Sequence, residues 1–320
     1  MVKSSPAALA SLCESIEVRR VDDGIYEADL ALEFCVGTVP NGGYVASIFA
    51  KVAEAHLLPR NQPHIISAHW TFMAKTKAGR ALVKVLESKI GRATSVLHVS
   101  LHQQDILPQS PWIPGESPAC VAAYMTSGNL DEEAGVTLPT QWKLEYEPPA
   151  IDHERAATDA NWAELDIPIL KKVPMLHHLK YYIRRSGHVL PTTHDYWVHL
   201  TSGENFTQTS LGYLADTGPP LVVEAFRPPS TTAPIPEGGF TYSKGFWYPT
   251  LTMTLDVRRK LPEEGAKWLR LRVTTKEIRN GRYDAEVVMF DKDGQLVALS
   301  NHVSMAVDIE RNYGGRRVKM

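Results

Sequence analysis

The sequence predicts an α+β protein in which two tandem halves each wrap an antiparallel sheet around one central helix. The main support is an internal repeat, since residues 69–105 and 251–294 both run as strand, short link, strand, tight turn, strand. The turns at 90–92 and 279–282 correspond, and glycine in each permits the positive φ that hairpin turns need. A helix-like segment precedes each run, which completes the repeated unit.

Each half is predicted to contain a strand, a helix and a four-stranded antiparallel meander. The first helix covers residues 41–58, where apolar residues recur at helical spacing. The second covers residues 206–218, and we expect Pro219-Pro220 to stop it. The closing strands are 120–128 and 296–308. A sheet around a central helix, present twice in tandem, is the double-hotdog plan.

The repeat also suggests domain boundaries. We expect an N-terminal hotdog at residues 1–128, a linker at 129–175, a C-terminal hotdog at 176–310 and a tail at 311–320. The linker is rich in proline and acidic residues, and a weak helical pattern at 152–165 suggests one helix within it.

The composition of the chain argues against several classes of function. The 320 residues are 43% hydrophobic and 22% charged, with a formal charge of −2, so nucleic acid is not an expected partner. No apolar run is long enough to span a membrane. Cys13, Cys35 and Cys120 have no metal-site or disulfide spacing and indicate free thiols. Since the N-terminus is a poor secretory signal, we expect a cytoplasmic protein.

The nucleotide-binding and serine-hydrolase motifs are missing. The chain has no GxSxG, GxxxxGK[ST] or GxGxxG, and its histidines lack metal-ligand spacing. We therefore expect neither a metal nor a redox cofactor.

Five stretches carry a likeness to a known family: VPNGGYVAS (39–47), SAHWTFMAK (67–75), GYLADTGPP (212–220), FWYPTLTMTLDV (246–257) and IRNGRYDAEVVMFDKDGQLVALSNHV (278–303). They resemble the acyl-CoA thioesterase II-type double-hotdog proteins, especially the fungal thioesterase-like branch. The resemblance implies hydrolysis of an acyl thioester carried on coenzyme A or an acyl-carrier protein. It also suggests a biosynthetic setting and is compatible with a homo-oligomer.

The resemblance implies three catalytic positions. Members of the family hold and activate water with an Asp, a Thr and a Gln, which correspond here to Asp216, Thr250 and the position of His302. The histidine is a departure, because imidazole can titrate whereas an amide cannot. Asn301 is the rival if the register slips by one residue. Without the resemblance, Asp216 is a solvated helix-end carboxylate and His302 a hydrogen-bonded structural histidine.

Alternation along the strands predicts which side chains share a face. In the last strand, Leu299 and Val303 belong to the expected core face and His302 to the opposite, polar face. In the strand that begins at Thr250, Leu251 is expected in the core. By this parity Thr250 and His302 both point to polar faces, which supports them as partners.

The segment Pro40-Asn41-Gly42-Gly43-Tyr44 opens the first helix. Glycines there expose backbone N–H groups toward developing negative charge, so Gly43 and Tyr44 are candidate oxyanion donors and Asn41 a capping or polarising side chain. The alternative is an N-cap followed by a glycine pair that close packing requires.

Two further functions remain open at this stage. One is proton transfer next to a carbonyl in a dehydratase, isomerase or cyclase, which His302 in place of Gln favours. The other is a non-catalytic acyl-binding protein, which the presence of both Asp216 and Thr250 argues against. The aromatic run Phe246-Trp247-Tyr248 can line an acyl pocket or belong to the core.

Overall fold

The computed structural model describes residues 10–167, 170 and 173–313. After a short helix α1 (Leu12–Ser15), the first half contains one long helix, α2 (Gly42–Leu57). Its strands are β1 (Arg19–Asp22), β2 (Ile25–Leu30), β3 (Cys35–Val36), β4 (Val39–Pro40), β5 (His64–Phe72), β6 (Gly79–Lys89), β7 (Thr94–His102) and β8 (Ala119–Gly128).

The second half repeats this order with shorter helices: α3 (Leu211–Ala215), α4 (Pro219–Glu224) and, after the last strand, α5 (Glu310–Tyr313). Its strands are β9 (Trp162–Glu164), β10 (Leu179–Arg184), β11 (Thr193–Leu200), β12 (Phe246–Trp247), β13 (Thr250–Val257), β14 (Leu269–Thr274), β15 (Ile278–Arg279), β16 (Arg282–Phe290), β17 (Leu296–Met305) and β18 (Val307–Asp308). None of the described helices is long and apolar enough to cross a membrane.

Within the described residues, fourteen strands form one antiparallel sheet that joins the two halves. Its order is β1-β2-β6-β7-β8-β5-β13-β17-β16-β14-β11-β10-β9, with β15 beside β16. The halves meet where β5 pairs with β13, with His69 opposite Thr254. The expected tandem plan is confirmed. The expected four-stranded meander is wrong in one respect, because the strand after each helix joins the sheet beside the last strand of its half.

Helix α2 is the central helix of the first half, as expected. Asn41 is its N-cap, and the side-chain Oδ1 accepts the Tyr44 N–H at 2.9 Å. The helix is buried on nearly all sides, since it packs on β2, β5, β8 and α3. A Cβ on Gly43 would lie 2.5 Å from the Gly212 carbonyl oxygen of α3. The glycine therefore permits a close approach of the two central helices, and the packing interpretation of the glycine pair applies to Gly43.

The central helix of the second half is broken in two, which the sequence did not predict. The first part ends at Ala215, before the prolines that were expected to stop it. Pro219 and Pro220 instead begin α4, because proline is tolerated in the first turn, where its missing N–H has no helical partner. The break leaves Asp216 at the C-cap of α3.

The helix expected at residues 152–165 is also wrong. The chain forms a single 3₁₀ turn (Ala156–Thr158) and then β9, whose Ala163 lies opposite Ile183 of β10. The Asp159 carboxylate accepts the N–H groups of Asn161 and Trp162, and such local bonds compete with a helix. The expected linker thus contributes an edge strand to the second half of the sheet.

The boundaries 1–128, 129–175, 176–310 and 311–320 stay a prediction. Residues 1–9 of the first domain and 314–320 of the tail lie outside the described residues. The remainder of the tail, residues 311–313, belongs to α5.

Candidate active site

A cavity of about 530 Å³ lies where the start of α2, the end of α3 and the strands β5 and β13 come together. Most of its wall is apolar, and Phe246, Trp247 and Tyr248 contribute to it. Among the described residues that line it, Asp216 is the one carboxylate and Lys75 the one cation. An apolar cavity with few polar groups is the usual form of a small-molecule site.

Asp216 is a buried carboxylate and not a solvated helix end, since it is 6% exposed. Its Oδ2 accepts the backbone N–H of Gly43 at 2.9 Å and the side-chain Nδ2 of Asn41 at 3.0 Å. Its Oδ1 accepts the Thr250 hydroxyl at 2.8 Å. The two donors to Oδ2 come from the first half, so the carboxylate is held by both halves of the molecule.

Burial raises the pKa of the Asp216 carboxyl to about 6, although hydrogen bonds from Thr250, Gly43 and Asn41 oppose the rise. At neutral pH the group is therefore mostly ionised and has a pKa close to the ambient pH. That combination suits a general base, because such a group is deprotonated and still accepts a proton readily.

Thr250 reaches Asp216 because of a β-bulge. The pairing of β13 with β17 shifts between Thr250 and Thr252, so Thr250 lies opposite Ser304 whereas Met253 lies opposite His302. Residues opposite each other share a face, so Thr250 faces inward with Met253. Leu251, expected in the core, is 40% exposed. The parity argument was therefore wrong at the start of this strand, for Thr250 and Leu251, although Thr250 does reach the site. Beyond the bulge, Met253 and Leu255 are buried, as the same argument predicts.

From Ser300 onward, the faces of β17 are the reverse of the expectation, whereas Val297 of the expected core face is buried. The face with Ser300, His302 and Ser304 is buried, whereas Val303 of the expected core face is 39% exposed. The buried polar side chains of this face have polar partners within the site. Ser304 donates to the Thr250 hydroxyl at 3.3 Å, and His302 lies beside the carboxylate itself.

The tautomer of His302 follows from its hydrogen bonds. Its Nε2 lies 2.9 Å from the Ser300 Oγ, and the single hydroxyl proton of Ser300 is donated to the Thr254 carbonyl. Ser300 must therefore accept a proton from Nε2 of the histidine. A neutral His302 then presents a lone pair at Nδ1, which lies 3.6 Å from the Asp216 Oδ1.

His302 is neutral across the physiological range, because complete burial lowers the pKa of its imidazole to about 3. Its side chain has no exposed surface, and Asp216, not His302, lines the cavity. The histidine is therefore placed behind the carboxylate and not against a bound substrate.

The backbone donors at the start of α2 are arranged differently from the expectation. The N–H of Gly43 is bonded to Asp216 and that of Tyr44 to the Asn41 cap, so neither is available to a substrate. The Tyr44 hydroxyl points away and donates to the Ser15 carbonyl at 2.6 Å. Within the described part of the chain, Gly42 N–H has no protein partner, and Gly42 lines the cavity.

Asn301 is not brought to the site. It lies on the outward face of β17 with an exposed side chain, opposite Glu286 of β16. Sequence reasoning missed Ser300 and Ser304, which connect to His302 and Thr250. Both lie two residues from His302, and this spacing on the same face of a strand is the signal that could have found them.

Two comparisons of the sequence with known proteins both find thioesterases. Residues 30–128 match the family described as acyl-CoA thioesterase N-terminal domain, and residues 150–306 match acyl-CoA thioesterase C-terminal domain. The chain is 36% identical to the thioesterase-like protein TwmA of Talaromyces wortmannii, over 96% of this chain and 95% of that protein.

Solved structures show the same fold at low sequence identity. A putative thioesterase II from Thermobifida fusca aligns over 92% of this chain and 97% of its own, with a TM-score of 0.67 and 21% identity. The acyl-CoA thioesterase II TesB2 of Mycobacterium marinum aligns over 93% and 97%, with a TM-score of 0.60 and 14% identity. The matched domains and the full-length relative show that the chain belongs to the acyl-CoA thioesterase family, with the double-hotdog fold of its thioesterase II members.

Proposed function

We propose that this thioester hydrolase uses Asp216 as the general base that activates a water for attack on the thioester carbonyl. The observation that carries the proposal is the carboxylate itself, which is buried, held by three donors and placed on the wall of an apolar cavity. The water enters from the cavity side and is positioned by Asp216 together with the Thr250 oxygen. General base catalysis by one positioned group typically contributes about 10²–10⁴-fold.

His302 acts on the proton that Asp216 receives. While Asp216 is ionised, Oδ1 and Nδ1 are two acceptors that face each other without a proton between them. Once Asp216 has taken a proton from water, its hydroxyl can donate to Nδ1 when the two atoms close from 3.6 Å to hydrogen-bond distance. The imidazole would then stabilise the protonated form of the base, in the same direction as the burial that raises the pKa of Asp216.

The backbone N–H of Gly42 is the proposed oxyanion donor. It is the first amide of α2, it faces the cavity, and the two amides after it are already engaged. Free N–H groups at a helix N-terminus favour negative charge, so the amide fits the oxygen of the tetrahedral intermediate. The intermediate then collapses with loss of the thiolate and leaves the carboxylic acid.

The carrier of the acyl group, the cellular location and the biosynthetic setting are also proposals. The acyl group is carried on coenzyme A or on a carrier protein, and the setting is a cytoplasmic biosynthetic route. Cys13, Cys35 and Cys120 are all free thiols in the structure, in accord with a reducing compartment. The imidazole of His302 is closed off from the cavity, which argues against proton transfer by His302 next to a substrate carbonyl.

The experiment that tests the proposal is thiol release from short, medium and aromatic acyl-CoAs by the wild type and by Asp216→Asn. We expect the wild type to hydrolyse at least one of them and Asp216→Asn to lose at least a hundredfold in kcat/KM. Asp256→Asn is the matched control, since Asp256 lies on β13 but accepts a hydrogen bond from Ser67 and does not line the cavity. An unchanged rate in Asp216→Asn excludes the carboxylate as the base.

A further inference from the structure

The mouth of the cavity can be recognised from the exposure of its lining. Met73 is 53% exposed and Tyr313 64%, whereas Asp216 at the closed end is 6% exposed. Lys75 is exposed and lines the cavity on the same side as Met73. Among the described residues of the lining, the single cation thus lies at the mouth and the single carboxylate at the reacting end.

Neutral groups hold the Lys75 ammonium in place. Its Nζ lies 4.6 Å from the centroid of the Trp247 ring and donates to the backbone carbonyls of Arg311 and Asn312. Asn312 is itself fixed, since its side chain bonds the Thr38 N–H at 3.2 Å and the Val36 carbonyl at 3.0 Å. An ammonium has three donors, so one remains free after these two bonds.

The charge of Lys75 has no counter-ion among the described residues. No carboxylate lies within ion-pair distance of its Nζ in residues 10–167, 170 and 173–313, although many other lysines in that part of the chain have such a partner. A positioned cation with a free donor at the mouth of a cavity is suited to an anionic group of the ligand.

We propose that Lys75 binds the phosphate of the 4′-phosphopantetheine arm that carries the acyl group. The inference rests on the proposed thioester hydrolysis, which places the reacting carbonyl at Asp216 and sends the thiol portion toward the mouth. Asp216 is buried at the reacting end of the cavity, whereas Lys75 is exposed at its mouth. The ammonium is therefore placed to meet a group farther along the arm than the reacting carbon.

Coenzyme A and carrier proteins both present this phosphate, so the proposed contact serves either source. A carboxylate on the acyl group is a poorer fit, because the acyl group enters the closed and largely apolar part of the cavity. The phosphate, by contrast, lies between the thioester and the bulk of the carrier, which must remain outside.

The test uses one acyl group as the thioester of pantetheine, of 4′-phosphopantetheine and of coenzyme A. Lys75→Met keeps the contact with Trp247 but removes the charge, and Lys75→Arg keeps the charge. Lys77→Met is the matched control, because Lys77 is also exposed but does not line the cavity. For Lys75→Met we expect KM to rise about tenfold, or about 1.4 kcal/mol, for the two phosphate-bearing substrates. For these two substrates kcat stays unchanged, and for the pantetheine thioester both kcat and KM stay unchanged.

Three outcomes overturn the assignment: no change in KM, an equal change for all three thioesters, or a change for the coenzyme A thioester alone. Binding of the 4′-phosphopantetheine thioester to Asp216→Asn, with and without Lys75→Met, is measured in parallel by calorimetry. This readout separates the Lys75 contact from hydrolysis, because it reports a tenfold loss of affinity even if no thiol is released.

The source of the phosphate is identified by comparing wild-type kcat/KM on acyl-CoA with wild-type kcat/KM on the same acyl group attached to a carrier protein. Either source is consistent with the assignment, provided that Lys75→Met weakens the binding of the substrate from that source.

Discussion

Asp216 Oδ1 and His302 Nδ1 lie 3.6 Å apart in a buried setting, and at neutral pH both atoms are hydrogen-bond acceptors. Ser300 fixes this relationship, because it accepts the only proton of the neutral imidazole at Nε2. A carboxylate that faces a lone pair gains nothing from it, whereas a protonated carboxyl forms a hydrogen bond once the two atoms close from 3.6 Å to hydrogen-bond distance. The pair therefore favours proton uptake by Asp216, which is the step that a general base must perform.

The pH dependence of hydrolysis follows from this arrangement. We expect kcat/KM to rise with pH through a single ionisation near pH 6 and to stay level up to pH 8, because the deprotonated Asp216 is the active form. His302 adds no second step in this range, since the pKa of its imidazole is about 3. The measurement is the pH–rate profile of thiol release at low substrate concentration. A bell-shaped profile with a second limb between pH 6 and 8 would contradict it.

The same carboxyl reduces the free energy of unfolding at neutral pH. Its pKa is raised from 3.8 to about 6 on folding, so the folded state binds more protons than the unfolded state between these values. The contribution of Asp216 to stability is therefore full below about pH 4 and is lost as the pH rises to about 6. Asp216→Asn replaces the titrating carboxyl by a neutral amide, so this pH-dependent loss of stability is absent in the variant. The amide of the new side chain can donate to both Thr250 and His302 Nδ1.

We accordingly expect Asp216→Asn to be inactive but to unfold at a higher temperature than the wild type at pH 7, with a smaller difference at pH 4. Thermal unfolding at both pH values provides the measurement. Asp256→Asn again serves as the control and should show no such pH-dependent gain. A lower unfolding temperature for Asp216→Asn at pH 7 would mean that the ionised carboxylate stabilises the fold.

His302→Gln tests the coupling between the imidazole and the carboxylate. A glutamine amide can donate to the Asp216 carboxylate, which favours the charged form and lowers its pKa. We expect the rate of hydrolysis at pH 8 to stay within about tenfold of the wild type. This factor corresponds to about 1.4 kcal/mol of activation free energy. The midpoint of the pH–rate profile should move to lower pH.

His102→Gln is the control for this variant. His102 forms the same contact with a serine two residues earlier, Ser100, at 2.9 Å, but it does not line the cavity. If His302→Gln leaves the midpoint unmoved, the histidine does not influence the base.

Ser300→Ala should change the tautomer of His302. Without the acceptor at Nε2, the imidazole proton can move to Nδ1 and bond the Asp216 carboxylate, which lowers the pKa of the carboxyl. We expect the ¹⁵N resonances of His302 to report the Nδ1–H form and the rate midpoint to shift downward. Ser100→Ala, made at the equivalent contact in β7, should leave the His302 resonances and the rate profile as in the wild type. An Nε2–H tautomer that persists in Ser300→Ala would refute the role of the serine.

The sequence by itself predicted the tandem α+β plan, helix α2 and the three residues Asp216, Thr250 and His302. These are features of local periodicity, turn chemistry and motif likeness, all of which can be recognised in a short stretch of chain. It did not predict the break between α3 and α4, because a proline pair is compatible with either the end or the start of a helix. The helix expected at 152–165 failed because Asp159 bonds its own neighbouring amides.

Only the tertiary structure decided how the site works. One extra residue in the bulge after Thr250 turns that side chain inward and Leu251 outward, and no alternation pattern reveals where a bulge lies. The amides of Gly43 and Tyr44 are engaged by partners that the sequence does not place, one of them 173 residues away. The charge states of Asp216 and His302 likewise depend on burial, and Asp216 also depends on donors from the other half of the chain, so these charge states exist only in the packed structure.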